Sequence, residues 1–168
     1  MASSMSKLIS LLSEKERAMK EMAGTLAEEQ QSIINMDPLS VEDASRRKQD
    51  VTARLVCLSV ECRVLMEKVG VERGLEPGNT LNLSLLLEAA SPGEQDRLRP
   101  LQNRLLLLAG AVERQIELNR RILGNAVGMV RRSLSLIGRL LGDCDTYGAH
   151  GRVSTGRTGA CIVSRQAE

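Results

Sequence analysis

Apolar residues recur every three or four positions through residues 118–141, LNRRILGNAVGMVRRSLSLIGRLL. This spacing places them on one side of an α-helix, because successive turns bring such positions onto the same face. One line consists of Leu123, Val127, Val130, Leu134, Ile137 and Leu141, and a second line beside it consists of Ile122, Ala126, Met129, Leu136 and Leu140. Together they form an apolar stripe that is wider than a coiled-coil seam and has to be buried against a partner surface.

The same periodicity predicts a first helix over residues 4–35. Its inward positions are apolar except at Lys15 and Glu29, and the apolar ones are Met5, Leu8, Leu12, Met19, Met22, Leu26 and Ile33. The solvated face is expected to carry Glu14, Glu16, Lys20, Glu21, Glu28 and Gln31. Pro38 then ends the helix, because proline disfavours helical geometry in the residue before it.

A second helix is predicted to begin at Ser40, with Ser40 as its cap and Asp43 completing a capping box. Only Lys48 interrupts its apolar seam, which otherwise consists of Val41, Ala44, Val51, Leu55, Leu58, Cys62, Leu65 and Val69. The turn signal Glu-Pro-Gly-Asn at residues 76–79 separates this helix from the next segment.

Residues 81–90 are apolar and predict a short helix or an ordered linker at the end of a bundle. Ser91, Pro92 and Glu94 mark a new helix start, from which a helical pattern continues to Leu141. Pro100 is expected to kink this last helix or to mark its effective beginning. We therefore predict a helical domain over residues 1–141, with the partner-binding helix at about 118–141, and a flexible tail over residues 142–168.

The predicted fold is all-α, an antiparallel hairpin of long helices with a longer C-terminal helix, as in a three-helix bundle. The first two helices are each about 45 Å long and the third at least about 60 Å, at 1.5 Å per residue. The third helix should therefore outrun the other two at its C-terminal end. Gly124, Gly128 and Gly138 weaken that end, because each disfavours a helix by about 1 kcal/mol relative to Ala.

The pattern alone leaves three interpretations of the stripe open. It is ordinary bundle core, a face for another protein, or the seam of a self-associating coiled-coil structural or adaptor protein. A helix lying on a membrane surface is a further alternative, because the stripe is flanked by Arg120, Arg121, Arg131, Arg132 and Arg139. Stable membrane insertion is not expected, since the longest near-apolar run, residues 105–112, is far too short to span a bilayer.

Composition favours a helical protein that acts by binding. There is no Phe or Trp and one Tyr, so a core has to be built from aliphatic residues and Met. Residues 97–168 carry 12 arginines against 5 acidic residues, whereas residues 1–96 carry 11 basic and 16 acidic residues. Nucleic-acid binding is nevertheless not expected, because the arginines alternate with leucines along a helix and no aromatic residue is available to stack on a base.

No constellation of residues predicts catalysis, so the chain is not expected to be an enzyme or to need a cofactor. The one histidine, His150, lies in the glycine-rich tail, and its spacing to Cys144 and Cys161 fits no zinc pattern. Cys57 and Cys62 are too far apart around a helix to share a metal. We expect all four cysteines to be reduced thiols in a cytoplasmic protein, and the N-terminus lacks the apolar run of a signal peptide.

This layout resembles the FlgN family of flagellar export chaperones over roughly residues 5–151. The resemblance is carried by the stretch ELNRRIL at 117–123, the amphipathic run from Val127 to Leu141, and the segment TYGAHG at 146–151. Pro100 and the glycines of the last helix depart from the family pattern.

The resemblance implies a cytoplasmic chaperone of the flagellar type III export system that hydrolyses no nucleotide. Its clients would be the hook–filament junction proteins FlgK and FlgL, held by their C-terminal helical regions, kept soluble and unassembled, and presented to the export gate. By this analogy the client would bind to Leu123, Val127, Val130, Leu134, Ile137 and Leu141. Tyr147 would lie where the family contacts the export gate, although a lone exposed tyrosine in a tail is an equally open interpretation.

Overall fold

A computed structural model describes residues 3–75 and 82–142, the last two by their backbone alone. These residues form four helices, α1 (Ser4–Ile34), α2 (Pro38–Glu72), α3 (Leu83–Glu88) and α4 (Pro92–Gly142), and no strand is present in the two segments. The predicted all-α class with a longer C-terminal helix is therefore confirmed. The predicted tail, residues 142–168, lies outside the described residues except for Gly142, which still belongs to α4.

The hairpin α1–α2 is antiparallel, with contacts along its whole length. At one end the Ser4 hydroxyl donates to Glu72 Oε1 at 2.7 Å. Near the other end the Arg47 guanidinium donates to Glu28. Between these ends the predicted seams meet, and their buried members include Leu8, Leu12, Met22, Leu26, Val51, Leu58, Cys62 and Val69.

α2 begins two residues earlier than its sequence indicates. Its cap is Asp37, whose Oδ1 accepts a hydrogen bond from the Ser40 backbone N–H at 3.2 Å. Pro38 occupies the first turn, where a missing N–H is not needed for the helix ladder. The prediction that Ser40 caps this helix is wrong, because Asp37, three residues earlier, caps it and Ser40 lies inside the first turn.

α4 starts at Pro92 as expected and continues unbroken through Pro100. Its start is closed by a capping arrangement, in which the Ser91 backbone N–H donates to Glu94 Oε2 at 2.9 Å. The Glu94 N–H donates back to the Ser91 carbonyl at 3.0 Å. Pro100 therefore does not mark the effective beginning of α4. Proline has no N–H to donate to the carbonyl four residues earlier, and because Pro100 is exposed, water can reach that carbonyl.

The main core lies where the start of α1, the end of α2, α3 and the start of α4 meet. α3 contributes Leu86, which is completely buried, and the first turns of α4 contribute Leu98 and Leu101. The buried members of this cluster are Met5, Leu8, Ile9, Leu12, Cys62, Val69, Leu86, Ala90, Leu98 and Leu101. The short helix therefore closes one end of the bundle, as the sequence predicts.

α4 runs in the same direction as α1. The Arg104 Nε atom donates to Glu16 Oε1 at 3.0 Å, and Gln115 Nε2 donates to Gln30 Oε1 at 2.8 Å, so both helices advance together. The offsets of 88 and 85 positions in these two pairs put Ile34, the last residue of α1, level with residues 119–122 of α4. The first of the two compact units of the chain is Met1–Ile122, and the second is Leu123–Glu168.

Two glutamates of α1 are buried. The sequence analysis placed Glu16 on the solvated face and counted Glu29 as an interruption of the apolar seam. Glu16 is 7% exposed and Glu29 is 6% exposed. Glu16 was expected on the solvated face, which is wrong, because a bidentate pair with Arg104 and a contact with Lys20 compensate its carboxylate. Both glutamates are thus inside the contact that α1 makes with its neighbours.

Candidate partner-binding face

Among the side chains of α4 that the structure describes, the last buried one is polar. Asn119 is 3% exposed, and its Nδ2 atom donates to the Leu26 carbonyl at 2.7 Å and to Glu29 Oε2 at 2.9 Å. Its Oδ1 atom accepts from Gln115 Nε2 at 3.0 Å. All polar atoms of this amide are therefore in use, and they hold α4 to the last turns of α1.

Lys48 of α2 completes this arrangement by donating to Glu29 Oε1. Glu29, one of the two interruptions of the α1 seam, is therefore paired across the hairpin with Lys48, which interrupts the α2 seam. We name Glu29, Lys48, Gln115 and Asn119 the polar layer. The polar layer links α1, α2 and α4, each of which contributes at least one of its residues. No buried side-chain nitrogen or oxygen among the described residues lacks a hydrogen-bond partner.

Beyond the polar layer, the burial of α4 changes. No residue from Arg121 to Leu140 is buried, and all ten from Arg131 to Leu140 are exposed. We name the six predicted client-binding residues the apolar face: Leu123, Val127, Val130, Leu134, Ile137 and Leu141. The five whose side chains are described are 43–63% exposed, so the described part of the face does not belong to a buried core.

Three of the five residues in the second line of the stripe are exposed as well, and Ile122 and Ala126 are half-buried. Met129, Leu136 and Leu140 each present more than half of their surface to solvent. The backbone of Leu141 is helical, but its side chain is outside the described part. Tyr147, the predicted contact to the export gate, also lies outside the described residues.

Exposed aliphatic residues occur elsewhere in the described residues as well. Val56, Val60 and Val64 lie four residues apart on α2 and are each about 60% exposed. Leu106 and Leu107, in the first unit's part of α4, are 65% and 74% exposed. The stripe differs from these in extent, because its residues cover about half of the helix circumference over several turns.

Residues 3–75 and 82–142 contain no group of three histidine, cysteine or acidic side chains that could hold a metal. Cys57 is exposed and Cys62 is buried, so the two thiols do not converge, and burial raises the pKa of Cys62. Among the described helices, none has the length and apolar character needed to cross a membrane.

An extended, solvent-exposed apolar surface is typical of sites that bind another protein or a membrane, and α4 carries such a surface. The family model described as FlgN protein matches residues 1–155, and the chain belongs to the FlgN family. This is a family of flagellar export chaperones. No curated protein and no solved structure gives a significant match to the chain.

Sequence reasoning located the apolar face but missed the polar layer. Asn119 was recognised only as part of the family stretch at 117–123, and Glu29 and Lys48 only as interruptions. The sequence did contain a signal for the polar layer, because one hairpin seam contains Glu29 and the other contains Lys48. Antiparallel pairing of the two helices can bring these opposite charges together. Its meaning depends on the register between helices, which periodicity does not determine.

Proposed function

We propose that the chain is a cytoplasmic chaperone that binds the C-terminal helical region of hook–filament junction proteins of the FlgK and FlgL type. It keeps these clients soluble and unassembled and delivers them to the flagellar export gate. Membership in the FlgN family supports the role, and the exposed apolar face on α4 supports the place of binding. The exposure of this face is the observation on which the proposal depends.

The energetics favour a client that covers both lines of the stripe. Each of the five described side chains of the apolar face is about half exposed, so covering these five contributes on the order of 4–8 kcal/mol, half of the full burial value. Association and ordering oppose this by on the order of 4–15 kcal/mol. The second line, with Met129 and Leu136, is therefore needed for an affinity near micromolar, which suits a chaperone that releases its client.

A matched pair of valine substitutions tests the site in the full-length chain. Val130→Glu places a charge in the apolar face, and Val60→Glu places the same charge in the exposed row on α2. We expect Val130→Glu to weaken binding of a FlgK- or FlgL-type C-terminal fragment at least about tenfold, because one desolvated charge opposes binding by more than 1 kcal/mol. Val60→Glu should bind normally in the same titration.

Equal binding by both variants would place the client elsewhere.

Sedimentation of the unliganded chain separates a chaperone from a self-associating protein. A dimer that persists on dilution and dissociates on Leu134→Glu would favour the coiled-coil alternative. A monomer that binds the fragment with one-to-one stoichiometry supports the chaperone.

We further propose Tyr147 as a contact to the export gate, on the basis of the family resemblance of residues 146–151. Tyr147→Ala should then leave fragment binding unchanged and reduce secretion of the client in flagellated cells. Reduced fragment binding by this variant would instead assign Tyr147 to client capture.

A further inference from the structure

The second unit of the chain carries positive charge at both margins of its apolar stripe. Its described helical part, residues 123–142, contains three arginines and no acidic residue. Arg131 lies three and four positions from Leu134 and Val127, at one margin. Arg132 and Arg139 lie within three or four positions of Leu136, at the opposite margin.

These arginines have no partner among the residues that the structure describes. All three are exposed, and none forms an ion pair there. The hairpin shows a different pattern, since Arg47, Lys48 and Arg54 each pair with a glutamate of α1. The described margins of the stripe are thus exposed and basic.

We propose that the occupant of this face is an amphipathic protein helix with carboxylate side chains along both edges of its apolar stripe. This inference rests on the proposed chaperone function and specifies the chemistry of the client segment. The apolar residues supply the burial, while aspartate or glutamate on each side of the client helix meets Arg131 on one margin and Arg132 and Arg139 on the other. Such pairs select the client and fix its position across the helix.

A protein helix fits this surface better than an anionic membrane. Helices that lie on membranes combine basic margins with Trp, Phe and Leu on the apolar side, and of these three residue types only Leu is present here. The chain has no Trp and no Phe, and the described stripe is entirely aliphatic apart from Met129. Its width also suits a helix or a helical pair docking into a shallow apolar surface.

Two synthetic helical peptides test the inference with the full-length chain. Both carry the same leucine and valine stripe, and they differ only in having glutamate or lysine at the flanking positions. Fluorescence anisotropy should show the glutamate peptide binding about tenfold more tightly at low salt, with the difference shrinking as salt is raised.

Charge reversal provides the decisive comparison. Reversing the margins (Arg131→Glu, Arg132→Glu, Arg139→Glu) should invert the preference towards the lysine peptide. A control with the same change of net charge (Arg97→Glu, Arg99→Glu, Arg114→Glu) alters exposed arginines of the first unit on the same helix and should keep the preference for glutamate.

Equal affinity for the two peptides, or an unchanged preference after reversal at the margins, would overturn the inference. If a FlgK- or FlgL-type fragment still binds in a manner that depends on Val130, the chaperone function stands without it. If neither the fragment nor either peptide binds, both fail together. Binding to phosphatidylglycerol vesicles without binding to the glutamate peptide would assign the basic margins to a lipid surface instead.

Discussion

Asn119 is a short amide in a helix contact built mainly from aliphatic residues. It satisfies the Leu26 carbonyl and one oxygen of Glu29, while Lys48 satisfies the other. A buried carboxylate is tolerated only when such partners are present, because its desolvation is otherwise costly. The amide therefore determines whether the last turns of α1 and the middle of α4 stay together.

We expect Asn119→Ala to lower the free energy of unfolding by about 1–3 kcal/mol, since it leaves Glu29 short of a hydrogen bond in a buried position. Urea denaturation followed by circular dichroism measures the change. Asn125→Ala is the matched control, because Asn125 is an exposed asparagine of the same helix and its loss should change stability by less than about 0.5 kcal/mol. Equal effects of the two substitutions would contradict the role given to Asn119.

Glu16 makes stability depend on pH in the acidic range. Hydrogen bonds from Arg104 and, next, from Lys20 lower the pKa of its carboxyl to about 2, although burial opposes them. The ordinary value of 4.5 applies in the unfolded chain, so the folded state is favoured above that pH. The stabilisation is lost as the pH falls from about 4.5 towards 2.

The contribution of Glu16 should be on the order of 1–2 kcal/mol, reduced from the full effect of the shift because Arg104 is half exposed and screened. Glu16→Gln should therefore flatten the dependence of unfolding free energy on pH between about 2 and 4.5. Measuring denaturation midpoints across this range tests it. An unchanged slope in the variant would assign the acid sensitivity to other carboxylates.

Two of the helices end in the same motif with different residues. After α2, Gly74 has a φ of 73°, its N–H donates to the Val71 carbonyl, and the next N–H donates to Gly70. After α1, Met36 has a φ of 55°, and the equivalent bonds reach Ile33 and Ser32. The left-handed position is free of strain for glycine and unfavourable for methionine by about 1 kcal/mol.

Substitutions at these two positions should have opposite signs. Met36→Gly should raise the unfolding free energy by about 1 kcal/mol, because Met36 is half exposed and little packing is lost. Gly74→Ala should lower it by a similar amount, although no neighbouring atom lies within 4 Å of an added Cβ. The same sign for both would show that packing, and not backbone conformation, controls these turns.

The helices themselves followed from periodicity because burial on one face repeats with the helical turn. The end of α1 came within a residue of its observed position, Ile34. The start of α2 was misplaced, because Asp37 and Ser40 are both good caps and only the preference of Pro38 for the first turn separates them. Glu16 was misplaced for another reason, since its partner Arg104 is 88 positions away and a local pattern cannot include it.

The client-binding prediction, unlike the prediction of the helices, is not tested by the structure. The apolar face was chosen from periodicity, and the exposure of its described residues agrees with a binding surface without testing it. Its occupant was named from the family resemblance alone, because aliphatic side chains carry little information about which helix they contact. The arginines at the margins are the residues through which the chain itself can specify a partner.

At the scale of the whole molecule, the two units should differ in local stability. Residues 98–119 of α4 pack against α1 through Leu98, Leu101 and Asn119, whereas residues 123–140 have no buried side chain. Amide protection follows burial and local packing. The same continuous helix should therefore open far more readily in its second part.

Hydrogen exchange of the full-length chain tests this difference. Amides of residues 123–140 should exchange at least about tenfold faster than those of residues 98–119. Addition of a FlgK- or FlgL-type C-terminal fragment should slow exchange mainly in the faster part. Uniform protection along α4 without client would mean that the second part is already covered, and protection confined to residues 98–119 would place the client on the first unit.

The polar layer also limits how the helices can slip past one another. Leucine seams repeat every three or four residues, so sliding α4 by one turn would still match apolar side chains with apolar side chains. In one direction that shift puts Leu123 where Asn119 now lies, and the Glu29 carboxylate would then face a hydrocarbon side chain. The polar layer thus disfavours a misaligned packing that would bury Leu123, the first residue of the apolar face, in the bundle. As a consequence, every molecule offers a client the same number of apolar residues.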